Sequence, residues 1–377
     1  MKTLLVATTI ALLVLCGYVS AAQTAQPSAS PIPAELLWAW GYGASNPSAE
    51  AAKVDDNELV RIPGSTQALK RALFRRTTGD EGVKDVPDWA PEAHPPMPDI
   101  VKFGRSIKDS SGRYLSPTDR NGNVVFAAGR VEDGGIRACG FCHSAHGMGH
   151  PGNAPVAGLP VGYLMQQMED FKNGLRLSSD PKKGNVIRMA WYAAQMTPAE
   201  TKAAVEYFAA LPFPRNIKVV ESATAPKTRL NEYFEPVPGP TGGTEPLAGR
   251  IMEVPENPEL TGLRAPNTGF IAYVPIGSVA KGERLADTLQ CRLCHGPELG
   301  GLNMGAVGGE VPSIAGRSPS YAVRQLFDMK TGARRGPKSA LMKAVVSKMT
   351  SEDMLNVAAY VASLAPPARQ ATLPASR

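Results

Sequence analysis

The first apolar block of the chain runs from Leu4 to Leu15 and is broken only by Thr8 and Thr9. Lys2 precedes it and Ser20-Ala21-Ala22 follows it, the order of a secretory signal ending in a small-residue cleavage site. The block is shorter than the roughly 20 apolar residues that cross a bilayer, so residues 1–22 read as an address and a soluble, periplasmic protein is expected. A lipidated Cys16 would want a small residue before it, and Leu15 is large, so Cys16 is expected to leave with the signal. Residues 23–35, rich in Pro, Ser and Ala, read as a flexible leader. Further on, Ala203, Ala204, Tyr207, Phe208 and Leu211 recur at helical spacing. Thr197-Pro198-Ala199-Glu200 supplies a capping box at their start, and Pro212 stops the run. The same design returns with Thr350-Ser351-Glu352-Asp353, then Val357, Tyr360, Val361 and Leu364, then Pro366. Between them, Val219-Val220, residues 250–254 and residues 269–274 have the β-branched and aromatic content of short strands set among Pro/Gly turns.

Composition sharpens this picture. The 377 residues include 37 Gly and 34 Pro, which favours loops over continuous sheet, while 43% hydrophobic residues exclude wholesale disorder. Five cysteines in a chain of this length exclude a disulfide-dense scaffold.

The four cysteines that remain after signal removal fall in one motif used twice: Cys139-Gly-Phe-Cys142-His143 and Cys291-Arg-Leu-Cys294-His295. C-x-x-C-H is the attachment signature of c-type haem. Two thiols must reach two vinyl groups on one porphyrin edge, and the adjacent histidine then turns its imidazole beneath the iron. A zinc ribbon would want the two pairs close in sequence. A redox dithiol would not require His in both copies. Disulfides closing such short loops would constrain little of the unfolded chain. Two covalently bound haem c groups are therefore expected, on Cys139, Cys142, Cys291 and Cys294, with His143 and His295 as proximal ligands.

An internal repeat selects the second axial ligand among the 13 methionines. Ala157-Gly158, Tyr163, Gln167 and Gly174 follow the first motif; Ala315-Gly316, Tyr321, Gln325 and Gly332 follow the second. Met189 precedes Thr197 by 8 residues and Tyr207 by 18, and Met342 precedes Thr350 and Tyr360 by the same intervals. Met189 stands 50 residues after Cys139, and Met342 51 after Cys291. Thioether sulfur is the partner that raises potential, so Met189 and Met342 are expected as distal ligands. Met148 and Met304 lie too near their histidines to reach the opposite face. Met165, Met168, Met196 and Met349 read as packing residues.

These residues resemble two class I cytochrome c domains in tandem, a di-haem cytochrome c. The resemblance implies a mainly α fold: two cytochrome c-type domains joined by a loop-rich segment with a small β element. The chain divides into a signal peptide (1–22), an N-terminal extension (23–95), domain 1 (96–215), an inter-domain segment (216–275), domain 2 (276–366) and a tail (367–377). Ser278 to Leu285 fits the first helix of domain 2, with Gly282 nine residues before Cys291. In domain 1 the matching Asp99–Gly104 stretch lies far before Cys139: either residues 106–130 are an insertion, which their turn formers favour, or Val124 to Arg130 is the matching helix. The function implied is electron transfer between a donor dehydrogenase and an acceptor cytochrome or oxidase of a respiratory chain, with no catalytic residue in this chain. The alternatives are a haem enzyme (a di-haem peroxidase or a dehydrogenase) or the cytochrome subunit of a larger dehydrogenase complex. Thiolate ligation would need a spare cysteine, and none remains.

Other features are read as structural. His146 and His150 suit a polar loop beside the first motif better than a replacement ligand, and His94 suits a loop. Trp38, Trp40 and Trp89 suggest that part of the N-terminal extension packs on something, and residues 57–76 carry a weak amphipathic pattern. The formal charge of +6 falls to about +5 without Lys2 and to about +1 with four propionates, so nucleic acid is not implied as a partner. Arg71, Arg75 and Arg76, and Lys330, Arg334 and Arg335, are expected to be solvated or to pair with propionates, and otherwise to steer an acidic partner.

Overall fold

The computed structural model describes residues 32–41, 96–113, 115–118, 135–230, 236–262, 268–305 and 309–366, with the backbone of four short strands between 59 and 83. The signal sequence, Cys16, His94, Trp89, the Arg71–Arg76 cluster, the tail and residues 119–134 lie outside it.

Helices dominate. The first half contains α1 (Val161–Lys172), α2 (Gly184–Gln195) and α3 (Pro198–Ala210). The second contains α4 (Ser278–Thr288), α5 (Pro319–Thr331), α6 (Ser339–Val346) and α7 (Ser351–Ser363). Both expected capping boxes form. Thr197 Oγ1 accepts from Glu200 N–H at 3.2 Å while Glu200 accepts from Thr197 N–H at 2.8 Å. Thr350 and Asp353 repeat the exchange at 3.1 and 2.8 Å. Each cap fixes where its helix begins, and hence which side chains turn inward: Ala204, Tyr207 and Phe208 on α3, and Val357, Tyr360 and Val361 on α7, all buried.

In the second half α4 crosses α7 at Gly282. A Cβ there would stand 2.0 Å from Asn356 O and 2.7 Å from Tyr360 Cβ, so only glycine permits this approach. In the first half the corresponding helix is a single turn, Asp99–Lys102, with Ile100 and Val101 buried. The chain then leaves at Arg105 and returns at Ile136, and these two exchange backbone hydrogen bonds of 2.8 Å at the neck of the excursion.

Two apolar cores result. One gathers Ile100, Val101, Tyr163, Leu164, Tyr207 and Phe208. The other gathers Val323, Phe327, Met354 and Tyr360 together with Trp40, Ile217 and Phe270. The segment between the halves is thus part of the second core. Its strands β1 (Ile217–Glu221), β2 (Met252–Pro255) and β3 (Phe270–Val274) form the expected small sheet. The central strand β3 runs antiparallel to β2 and parallel to β1, with Ala272 opposite both Glu253 and Val219. Glu253 docks the sheet on the start of α5, accepting from Ser320 N–H at 2.7 Å and Ser318 Oγ–H at 3.0 Å.

The N-terminal extension contributes a 3₁₀ helix, Ala34–Trp40. Trp40 packs edge-on against Phe327 at 5.6 Å and donates from Nε1 to Ser178 Oγ at 3.1 Å, touching both halves. Residues 57–76 differ from their amphipathic pattern: Leu59–Arg61 and Ala68–Lys70 pair as antiparallel strands.

The halves meet along a quasi-symmetric seam. Arg176 and Arg334 face each other in an antiparallel bridge. Arg334 donates to Tyr163 Oη (3.1 Å), Gln167 Oε1 (2.8 Å) and Gln325 Oε1 (3.0 Å). Arg176 donates to Tyr321 Oη at 2.8 Å and Gln325 Oε1 at 3.3 Å. This corrects the expectation for Arg334, while Lys330 and Arg335 are exposed. Arg334 is 9% exposed and spends its donors inside the molecule, and Lys330 donates to Met349 O.

Candidate haem sites

Cys139–His143 forms one short helix and Cys291–His295 another. Each is closed by the same backbone contact: Gly149 N–H donates to His143 O, and Gly301 N–H to His295 O, both at 2.8 Å. Both imidazoles are oriented alike. His143 Nδ1 lies 2.8 Å from Ala154 O and His295 Nδ1 2.9 Å from Pro312 O. A carbonyl only accepts, so Nδ1 carries the proton and the lone pair of each neutral ring resides on Nε2. Burial lowers both pKa values, that of His143 to about 4, so both rings are neutral at pH 7. A neutral imidazole with a fixed Nδ1–H partner is the state in which Nε2 binds iron.

Cys139, Cys142, His143 and Met189 line one cleft, which holds about 1390 Å³ of space between atoms and opens to solvent on one side. Met168 and Met196 also line it. Burial, reinforced by Cys142, pushes the Cys139 thiol up to about 12, so it is not a free thiolate. The cysteines are not disulfide-bonded. Among the described residues no group of three His, Cys, Asp or Glu side chains is placed to hold a bare metal ion. Phe208 packs edge-on to the His143 ring at 6.0 Å. Tyr207 Oη donates to Ala145 O at 2.7 Å, tying α3 to the loop after the motif.

The remaining walls of the cleft are mainly apolar, but the cations Arg137, Arg176, Arg188 and Arg324, and Lys183, whose pKa burial lowers to about 7, line it against one acid, Asp328. Sequence reasoning missed these cations, although Arg176 stands at the same offset from Arg334 as Tyr163 does from Tyr321. An apolar slot with two thiols, an imidazole, thioethers and an excess of positive charge fits a flat macrocycle that carries two carboxylates.

At the second motif, Cys291 and Met342 pack on one apolar cluster and His295 is buried. Arg292 donates to Tyr360 Oη at 2.5 Å, linking the motif to α7. Leu293 and Leu341 are 69% and 60% exposed, so this site has an open apolar rim. Met349 is a buried core residue, as expected, and Met148 is buried as well. His150 shares a 2.5 Å contact with Asn153, whose amide also donates to Cys142 O at 3.0 Å; neither His146 nor His150 lines the cleft.

Comparison with known proteins agrees with this chemistry. The family model for cytochrome c matches residues 279–365. The chain is 31% identical over 87 residues to cytochrome c-554(548) of Halomonas halodenitrificans, covering 96% of that protein and 23% of this one. It is 26% identical over 235 residues to a thiosulfate dehydrogenase electron acceptor of Thiomonas intermedia (60% of this chain, 78% of that one). It is 23% identical over 247 residues to cytochrome c4 of Azotobacter vinelandii (64% and 92%). The chain therefore belongs to the cytochrome c family, as a di-haem cytochrome with two covalently bound haem c groups.

Proposed function

We propose that this protein is a periplasmic electron carrier in which both haems have His/Met ligation. Cys139 and Cys142 tether one, with His143 proximal and Met189 distal. Cys291 and Cys294 tether the other, with His295 proximal and Met342 distal. Bound haem supplies a one-electron Fe(II)/Fe(III) couple, and a thioether ligand raises its potential. The protein's own part is to orient two neutral imidazoles through Ala154 O and Pro312 O, to exclude water with the Phe208 and Tyr360 faces, and to present cations to the propionates. The observation that carries this reading is the cleft that unites Cys139, Cys142, His143 and Met189 between apolar walls.

The likeness to thiosulfate dehydrogenase electron acceptors favours a sulfur-compound dehydrogenase as donor and a cytochrome or oxidase as acceptor. Export by the N-terminal signal suits such partners. Among the described residues no helix is long and apolar enough to cross a membrane. A reductive titration should take up two electrons per chain reversibly, and the purified protein should not turn over hydrogen peroxide. Rapid peroxide turnover would assign the chain to the haem enzymes instead.

A further inference from the structure

Arg317 lies where the two halves meet and is 6% exposed. Its Nε donates to Ser313 O at 2.8 Å, its Nη1 to Pro155 O at 2.8 Å and its Nη2 to Ala157 O at 3.3 Å. The guanidinium stacks on Phe213, 4.2 Å from the ring centre. Among the described residues it has no ion-pair partner. An uncompensated buried charge is costly, and carbonyl dipoles offset that cost only while the loops that carry them hold their places.

The identity of those loops is informative. Pro155 directly follows Ala154, whose carbonyl receives His143 Nδ1–H. Ser313 directly follows Pro312, whose carbonyl receives His295 Nδ1–H. One guanidinium thus grips both histidine-orienting loops. The repeat makes this arrangement one-sided: Ala157-Gly158-Leu159 stands against Ala315-Gly316-Arg317, so the matching position in the first half is apolar. A single arginine serves two sites. Burial lowers its pKa to about 10, which leaves it charged at neutral pH.

We propose that Arg317 is a positioning residue shared by both haem sites, fixing the two histidine-orienting loops relative to each other and placing one positive charge between them that raises the electron affinity of both. A nearby cation disfavours Fe(III), which carries the extra positive charge, so its removal lowers both potentials.

The inference rests on the proposed histidine ligation. Its test is spectroelectrochemistry of the full holoprotein with R317Q and R317K. In R317Q the ferrous-to-ferric ratio at fixed ambient potential should fall about tenfold at each haem, about 59 mV for a one-electron couple. The far-red sulfur-to-iron band should persist, showing that the ligands remain. R317K keeps the charge without the fork and should stay within about twofold of the wild type. If R317Q leaves both potentials in place, or shifts only one, the shared role is overturned. A tenfold loss in R317K overturns the electrostatic role even if R317Q does not fold. A wild type lacking two haems or the far-red band would instead defeat the ligation reading itself.

Discussion

Met189 shares its cleft with Met168 and Met196, and the choice among them rests on the repeat. Met168 has no counterpart there; Met196 has Met349 at equal intervals, but Met349 is buried in the second core, whereas Met342, the counterpart of Met189, is only partly buried. Replacing Met189 by Ala should therefore remove half of the far-red sulfur-to-iron absorption and lower one midpoint potential, whereas Met168→Ala and Met196→Ala should preserve the band. Absorption spectra of the three ferric variants check this, and loss of the band in Met196→Ala would move the ligand to the C-terminal end of α2. The thiols, histidines and paired methionines were legible in the sequence because haem attachment demands fixed residue types at fixed spacing. The carbonyls that orient the imidazoles were not. Ala154 and Pro312 lie at different distances from their histidines and act through backbone atoms that any residue would supply.

At the scale of elements, caps and periodicity located α3 and α7 because these signals are local. Thr197 and Thr350 each bond three residues ahead, and Pro212 and Pro366 bar continuation. The short turn at Asp99–Lys102 and the strands at Leu59–Arg61 and Ala68–Lys70 are set by what they meet, so a weak amphipathic pattern misjudged the latter. Gly282 links element to packing most sharply. Its Cβ position is occupied by the backbone of Asn356, so Gly282→Ala should push α4 from α7 and destabilise domain 2 by about 1–3 kcal/mol. Chemical denaturation followed at the second haem should show the loss, and an unchanged midpoint would mean that the helices do not cross so closely.

For the whole molecule, the decisive contacts are polar and long-range. Arg334 read as surface charge in the sequence and Arg176 drew no reading, yet they tie α1 to α5 through Tyr163, Gln167, Tyr321 and Gln325. The repeat contained the clue, since these Arg, Tyr and Gln pairs all share one offset. What it lacked was any sign that the two copies face each other. Arg334→Met should leave Tyr163 and Gln167 without their charged donor and cost about 2–4 kcal/mol. It should also split a single unfolding transition into two, read by calorimetry, while both haems stay attached. One unshifted transition would show that the seam contributes nothing to cohesion. Trp40 adds to the seam by touching both halves, which gives this part of a segment with no motif of its own a structural role.

The central claim is that two CxxCH motifs and two methionines at matching intervals build two His/Met haems on one chain. The most direct measurement is the ferric far-red absorption of the purified wild-type protein, scaled to covalently bound haem by pyridine haemochrome. Two haems per chain, each carrying a full sulfur-to-iron band, is the predicted result. A band absent, or equivalent to a single haem, would contradict it.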